Sequence, residues 1–309
     1  GLVGRADGAI SDSYSDGSVT ATGSVAATQA SVGGLVGAVG GSVTRSYNKA
    51  SVTVTANVDQ TVGGGFGGLT GYLLLSTASI SDSYNLGSVT ANSLNNATRF
   101  GAVGGLVGLI VNGTSTAITR SYSTGSVVNL SAGNTGGLVG YSNVTTTISN
   151  SLWDTVTSGQ ASGYGGKVAG TTITNLYGGC FGATTGCSIQ PNANSSNSGA
   201  AVNLALKASY TGSGWTDATQ ITSTIETDAT PPTATWFIFE GNTRPMLMSE
   251  FSTNMKTAHQ LQLAGTTMGA SYTLANDIDL NPGMTNAADV WSTNRNAGIG
   301  KGFYPIGPG

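Results

Sequence analysis

Charge is nearly absent from this chain. Its 309 residues include 11 Lys and Arg and 14 Asp and Glu, so charged residues make up 8% of it and the net charge is -3. The cations are scattered from Arg5 to Lys301 and never cluster. Without a basic patch to neutralise phosphates, nucleic acid is excluded as an expected partner. Long apolar runs are missing too: the longest, Leu106 to Val111, stops at Asn112, far short of the roughly 18 residues needed to cross a bilayer, so no membrane insertion is expected. There is one histidine, His259, and neither a G-x-S-x-G nor an H-E-x-x-H pattern. A hydrolytic triad or a zinc site needs its histidine beside a nucleophile or further ligands, so His259 reads as an ordinary half-buried or exposed imidazole and no cofactor is expected. The glycine run at 63 to 68 matches G-x-G-x-x-G in form only, because no helix follows it.

The two cysteines, Cys180 and Cys187, have six residues between them in a loop rich in Gly and Thr. In an oxidising compartment such a pair closes a local disulfide, the reading preferred over two free thiols. The chain opens inside a repeating phrase without an initiating Met or a signal peptide, which suggests a mature or excised piece of something longer. Five Asn-x-Ser/Thr sequons, at Asn96, Asn112, Asn129, Asn143 and Asn194, carry little weight where Asn, Ser and Thr are this abundant.

What the chain has in excess is glycine, 48 residues of it, and most of it repeats. The tetrapeptide G-L-x-G begins at Gly1, Gly34, Gly68, Gly105 and Gly137, followed by Leu2, Leu35, Leu69, Leu106 and Leu138. Twelve to sixteen residues later comes Ser13-Tyr14, Ser46-Tyr47, Ser83-Tyr84, Ser121-Tyr122 or Ser151-Leu152. Three residues before each serine stands a β-branched aliphatic: Ile10, Val43, Ile80, Ile118 or Ile148. Four of the five units then add a small residue, Ser and Val. Each unit offers three short strand-like pieces, roughly GGLVG, ITRSY and GSVTA, divided by Gly, Asn, Asp and Ser turns. None has the length or composition of a helix. An all-β fold follows, a parallel β-helix (β-solenoid) with about one coil per 32 to 38 residues.

In such a coil stack the leucines form one apolar column, and glycine at the corners permits positive φ and close backbone approach. Between the aliphatic and the tyrosine sit Asp12, Arg45, Asp82, Arg120 and Asn150. In a plain strand they would share a face with Ile10 and Tyr14 and their equivalents. Either that face is exposed and bears a tyrosine and ion-pair stripe, or a bend turns the charge outward; the bend is preferred.

The regular units are expected to fill 1–155, an irregular Thr- and Asn-rich insertion with the disulfide loop and a strand near 236 to fill 156–250, and a further β-helix module to start in 251–309. There, a short helix is expected in 252–265, and 272–280 alternates as a strand, with Tyr272, Leu274, Asn276, Ile278 and Leu280 on one face and Asn276 inward. Asp277 and Asp279 then share the other face. As paired carboxylates they are candidates for a calcium or sugar site; a solvated strand face is the blander and preferred reading.

G-L-V-G followed by I-x-x-S-Y-x-x-G-S-V resembles the GLUG-type repeat of filamentous haemagglutinin-like bacterial exoproteins. The stretches "SLWDTVTSGQASGYGG", "WFIFEGNTRPML", "AHQLQL" and "YTLANDIDL" resemble segments that flank such repeat blocks in large adhesins, and the resemblance is weakest over 170–230. Thr70 in the third repeat, Leu152 in the fifth and the cysteine-bearing insertion depart from the pattern. The resemblance implies a right-handed β-helical shaft, secretion to the cell surface, and a non-enzymatic adhesive or structural role. Its partners would be a host or neighbouring-cell surface or glycan, or further copies in a filament. A carbohydrate-binding or carbohydrate-active β-helix, and a passive stalk for a toxin or peptidase domain, are the alternatives.

Overall fold

In a computed structural model, residues 1–25, 30–58, 64–93, 101–111, 117–131, 133–182 and 201–307 are described. The chain divides into two compact units, one containing Gly1–Cys180 and the other Asn203–Gly309, with Phe181 belonging to the second.

The first unit is a parallel β-helix. Coil 2 shows the plan: strands Ala30–Gly33, Val36–Val39, Ser42–Thr44, Tyr47–Asn48 and Ser51–Val58 follow one another around the axis. Each lies in register on its equivalents in the next coil, and these pairings are parallel. Four sheets result. Sheet 1 stacks Ala30–Gly33, sheet 2 Val36–Val39, sheet 3 both Ser42–Thr44 and Tyr47–Asn48, and sheet 4 Ser51–Val58, each with its counterparts.

A coil thus has five short strands rather than three. The expected strand GGLVG is in fact a corner, with Gly34 and Leu35 in a bend between sheets 1 and 2. The leucines do form the expected column: the amide of each of Leu2, Leu35, Leu69 and Leu106 donates to the carbonyl of the next. Leu35, Leu69, Leu106 and Leu138 are fully buried with Val43, Ile80, Ile118 and Ile148, and Leu2, on the outermost described rung, is 58% exposed. Burying side chains of this size stabilises by about 1.5–3 kcal/mol each, which is why a coil needs neighbours on both sides. A second core lies between sheets 4 and 1, where Val52, Val54 and Val89 pack on Phe66 and Val103.

The stack runs past residue 155. Thr147–Asp154 is followed by a short helical turn at Thr155–Ser158, capped by the Asp154 carboxylate, and then by Tyr164–Lys167 and Thr172–Cys180, which pair in parallel with coil 5 and make a sixth coil. The tetrapeptide is lost there for a packing reason. Gly163 takes the leucine's rung, and the indole of Trp153 fills the space, close enough that a Cβ on Gly163 would overlap it.

The second unit is built differently. A small sheet pairs Ile221–Thr222 with Trp236–Phe237 in parallel and Trp236–Phe237 with Met246–Leu247 antiparallel. The strand at 236 is as expected, Gly241 (φ 74°) turns the chain after it, and helix Ala258–Leu263 occupies the expected helical stretch. Among the described residues, 251–307 hold one two-stranded parallel pair of strands, Asn254–Met255 with Thr273–Leu274, rather than a continuing coil stack. The alternation over 272–280 does not make a strand beyond Leu274, because no apolar layer covers it: Leu274 is 63% exposed and Asn276 is exposed rather than inward.

Candidate functional site

The conspicuous constellation in the shaft is the corner between the two strand segments of sheet 3. Asp12, Arg45, Asp82, Arg120, Asn150 and Asn175 all have φ between 45° and 53°, so each takes the left-handed conformation that bends the chain. The bend carries the preceding aliphatic into the core and the corner side chain outward. Arg45 grips Asp12 with two charge-assisted bonds of 2.7 Å, Arg120 grips Asp82 at 2.7 and 2.8 Å, and Asn175 donates to Asn150 at 3.0 Å. Hydrogen bonding to Asp12 and to Asp82 holds Arg45 and Arg120 above the usual guanidinium range.

The glycines of G-L-x-G play a different part. None of Gly34, Gly68, Gly105 and Gly137 has a positive φ; they serve close approach alone. A Cβ on Gly34 would overlap Asn48 Oδ1 and the Gly68 carbonyl, and one on Gly68 would overlap Asn85 and the Gly105 carbonyl. At the tetrapeptide's last position, a Cβ on Gly71 or Gly108 would run into the backbone of sheet 1.

Three internal ladders accompany the corner. The serine of each Ser-Tyr pair, buried at Ser46, Ser83 and Ser121, donates to the carbonyl two residues back, as Ser83 Oγ does to Ser81 at 2.8 Å. It also accepts the amide of its equivalent one coil earlier, Ser46 N to Ser83 Oγ at 3.2 Å. Tyr14, Tyr47, Tyr84 and Tyr122 stack face to face with centroids 4.9 to 5.1 Å apart, and the last three are buried. The stripe is therefore internal, not a binding surface. Asn48 Nδ2 donates to Asn85 Oδ1 at 2.8 Å inside the coil, with Ser15 and Ser123 continuing the column. Sequence reasoning missed this asparagine ladder, although its signal is the uninterrupted small polar residue after each tyrosine in coils 1 to 4.

In the second unit, His259 is 1% exposed rather than half-buried or exposed as expected. Its Nδ1 lies 2.7 Å from Glu250 Oε2 and its Nε2 2.8 Å from Asp289 Oδ1, and the ring packs edge-on against Trp291, with centroids 5.4 Å apart. Thr257 and Gln260 form a capping box that starts the helix and sets the ring's direction. An ionised carboxylate only accepts, so with both acids ionised the ring carries both protons. With both nitrogens occupied and no exposed edge, this imidazole presents no lone pair to a substrate. Arg244, also fully buried, donates to the carbonyls of Ala287 and Asp289 and to Ser292 Oγ, with Phe181 5.2 Å beneath its guanidinium.

Asp277 and Asp279 are exposed, and neither lies in a strand. Asp277 borders a shallow recess with Leu261 and Leu274, while Asp279 caps the amide of Asn281 at 2.8 Å, so the structure does not set them side by side on a strand face. No group of three His, Cys, Asp or Glu suited to a metal ion occurs among the described residues. Cys180 is disulfide-bonded, and Cys187 lies outside the described residues. So do the sequon asparagines Asn96, Asn112 and Asn194; Asn129 bonds the Gly101 carbonyl and Asn143 is exposed. No described helix is long and apolar enough to cross a membrane.

No family model matches the chain, and neither a curated protein nor a solved structure gives a significant match.

Proposed function

We propose that the chain is a structural and adhesive segment of a secreted bacterial cell-surface fibre, of the kind its repeats resemble. The observation that supports this best is the parallel register of six coils, with leucine, serine, tyrosine and asparagine each stacked on their own kind over neighbouring coils of the repeat. Such a stack resists bending and slippage, because moving one coil out of register breaks every ladder at once. Its outer positions are mostly uncharged, with a few scattered charges such as Arg5, Asp7 and Asp16 besides the corner ion pairs, a surface suited to many weak contacts rather than to one catalytic pocket.

Electron microscopy of the native material, together with aggregation of cells displaying it, tests the reading. Thin fibres, and aggregation lost when coils 2 to 5 are deleted, are the expected result. Compact particles that neither elongate nor promote contact between cells would reject it.

A further inference from the structure

We propose that the outward face of sheet 4 is an ice-binding surface. In the strands Ser18–Val25, Ser51–Val58 and Val89–Ser93 the inward positions are aliphatic: Val52, Val54, Val89 and Ala91 are buried in the second core. The positions between them point away and read Thr-x-Thr, Thr-x-Thr and Thr-x-Asn. The register places Thr20 on Thr53 on Thr90, and Thr22 on Thr55 on Asn92. Thr20, Thr22, Thr53 and Thr55 are exposed, and Thr90 and Asn92 are half-buried. Ser18 stacks on Ser51 and adds a third hydroxyl column.

The result is a two-dimensional lattice rather than a single line. Neighbouring rungs repeat at about 4.8 Å, and outward residues of one strand at roughly 6.7 Å. Both spacings lie near oxygen repeats on a prism face of hexagonal ice. Each threonine offers a hydroxyl that can anchor a water and a methyl that can order the waters around it. A second feature points the same way: the fourth rung continues the threonine columns with Val128 and Leu130, which are 37% and 64% exposed. Large apolar side chains in line with threonines, with no charge among them, suit a ligand made of ordered water.

Other ligands fit less well. Flat sugars stack on aromatic rings, and these columns hold none. Phosphate backbones need cations, and these columns hold none either. The inference does not rest on the fibre reading, since ice affinity belongs to one chain in solution whereas fibre formation is read by imaging.

The test is ice-recrystallisation inhibition and incorporation into a growing ice hemisphere by the purified 309-residue chain. The chain is expected to enter ice and to block recrystallisation. Thr53→Lys, in the lattice centre, is expected to raise the concentration needed by about an order of magnitude. Thr174→Lys, at an exposed position of sheet 3, should leave it unchanged. Asn92→Thr completes a column and should lower it, which decides the matter if circular dichroism shows that Thr53→Lys does not fold. Exclusion of the unaltered chain from ice, equal effects of the two lysines, or no gain from Asn92→Thr would each overturn the proposal.

Discussion

The two units solve the same problem, the burial of polar groups, in opposite ways. In the shaft the buried polar side chains of the repeat are satisfied by their equivalents one rung away or by a carbonyl two residues off, as Ser46 with Ser83 and Asn48 with Asn85. In the second unit the buried polar groups are satisfied by unlike partners far along the chain. His259 meets Glu250 and Asp289; Arg244 reaches carbonyls more than forty residues on; Gln262 joins the indole of Trp291 to the backbone of Tyr304. Translation along an axis spreads stability over many small equal contributions. A set of unique partners concentrates it in a few residues whose loss nothing nearby can replace.

The comparison breaks most completely at high pH. Burial pushes the phenols of Tyr72 and Tyr164, both in the shaft and both 1% exposed, well above the usual tyrosine range, and it raises the less buried Tyr272 of the second unit as well. A folded-state value above the unfolded one, about 10, stabilises fully below that pH and is lost as the pH rises past it toward the folded value. The shaft is therefore expected to hold through mildly alkaline conditions and then unfold cooperatively. Phenolate absorbance should appear together with loss of the β-sheet dichroism, and gradual ionisation with the sheet signal intact would contradict the burial argument.

His259→Ala separates the units in the other direction. It removes the ring that bonds both Glu250 and Asp289 in the interior, and taking one partner out of such a buried pair costs about 3–5 kcal/mol. Limited proteolysis should cut within 203–309 while Gly1–Cys180 stays resistant. Equal loss of both units would mean that they fold as one.

This contrast also explains what could be read from the sequence. A repeat exposes its physics five times over, so the coil stack, the leucine column and the bend at Asp12 and its equivalents were legible without coordinates. Within the repeat, the errors concerned which residue does what. Glycine suggested the left-handed corner, yet that corner falls to Asp, Arg and Asn, while the glycines give way to the asparagine ladder and to neighbouring backbone. The sixth coil was hidden because Trp153 replaces a leucine from a different strand, and substitution across space leaves no mark on spacing. In the second unit nothing recurs. The partners of His259 lie 9 and 30 residues away at no characteristic interval, so its burial had no local signal. The alternation at 272–280 misled because periodicity alone does not supply a layer to pack against.

Smaller effects sharpen the picture within the shaft. Gly68→Ala puts a Cβ onto Asn85 and the Gly105 carbonyl, and the forced shift is expected to cost about 1–3 kcal/mol. Gly4→Ala, at the tetrapeptide's last position on the outermost described rung, meets nothing within 4 Å and should stay within about 0.5 kcal/mol of the parent. Ser83→Ala falls between them: it strips the Ser81 carbonyl and the Ser46 amide of a buried partner, a loss of about 1–2 kcal/mol. Urea denaturation of the three variants should rank them in that order.

The smallest expected effect concerns the charges that the sequence displays most openly. Arg120 and Asp82 pair with good geometry, but their side chains keep 25% and 14% of their surface in water. A pair of this exposure contributes about 0–1 kcal/mol, less as salt is added. Arg120→Gln should therefore lower the unfolding midpoint slightly in low salt and not measurably in high salt. Arg120→Gly should do no worse, because a glycine takes the left-handed φ of 45° without strain and offsets the lost pair. If both variants fall equally and far below the parent in low salt, the ion pair rather than the backbone bend is what the corner needs. The alternation of Asp and Arg would then be the structural code of the stack and not a surface ornament on it.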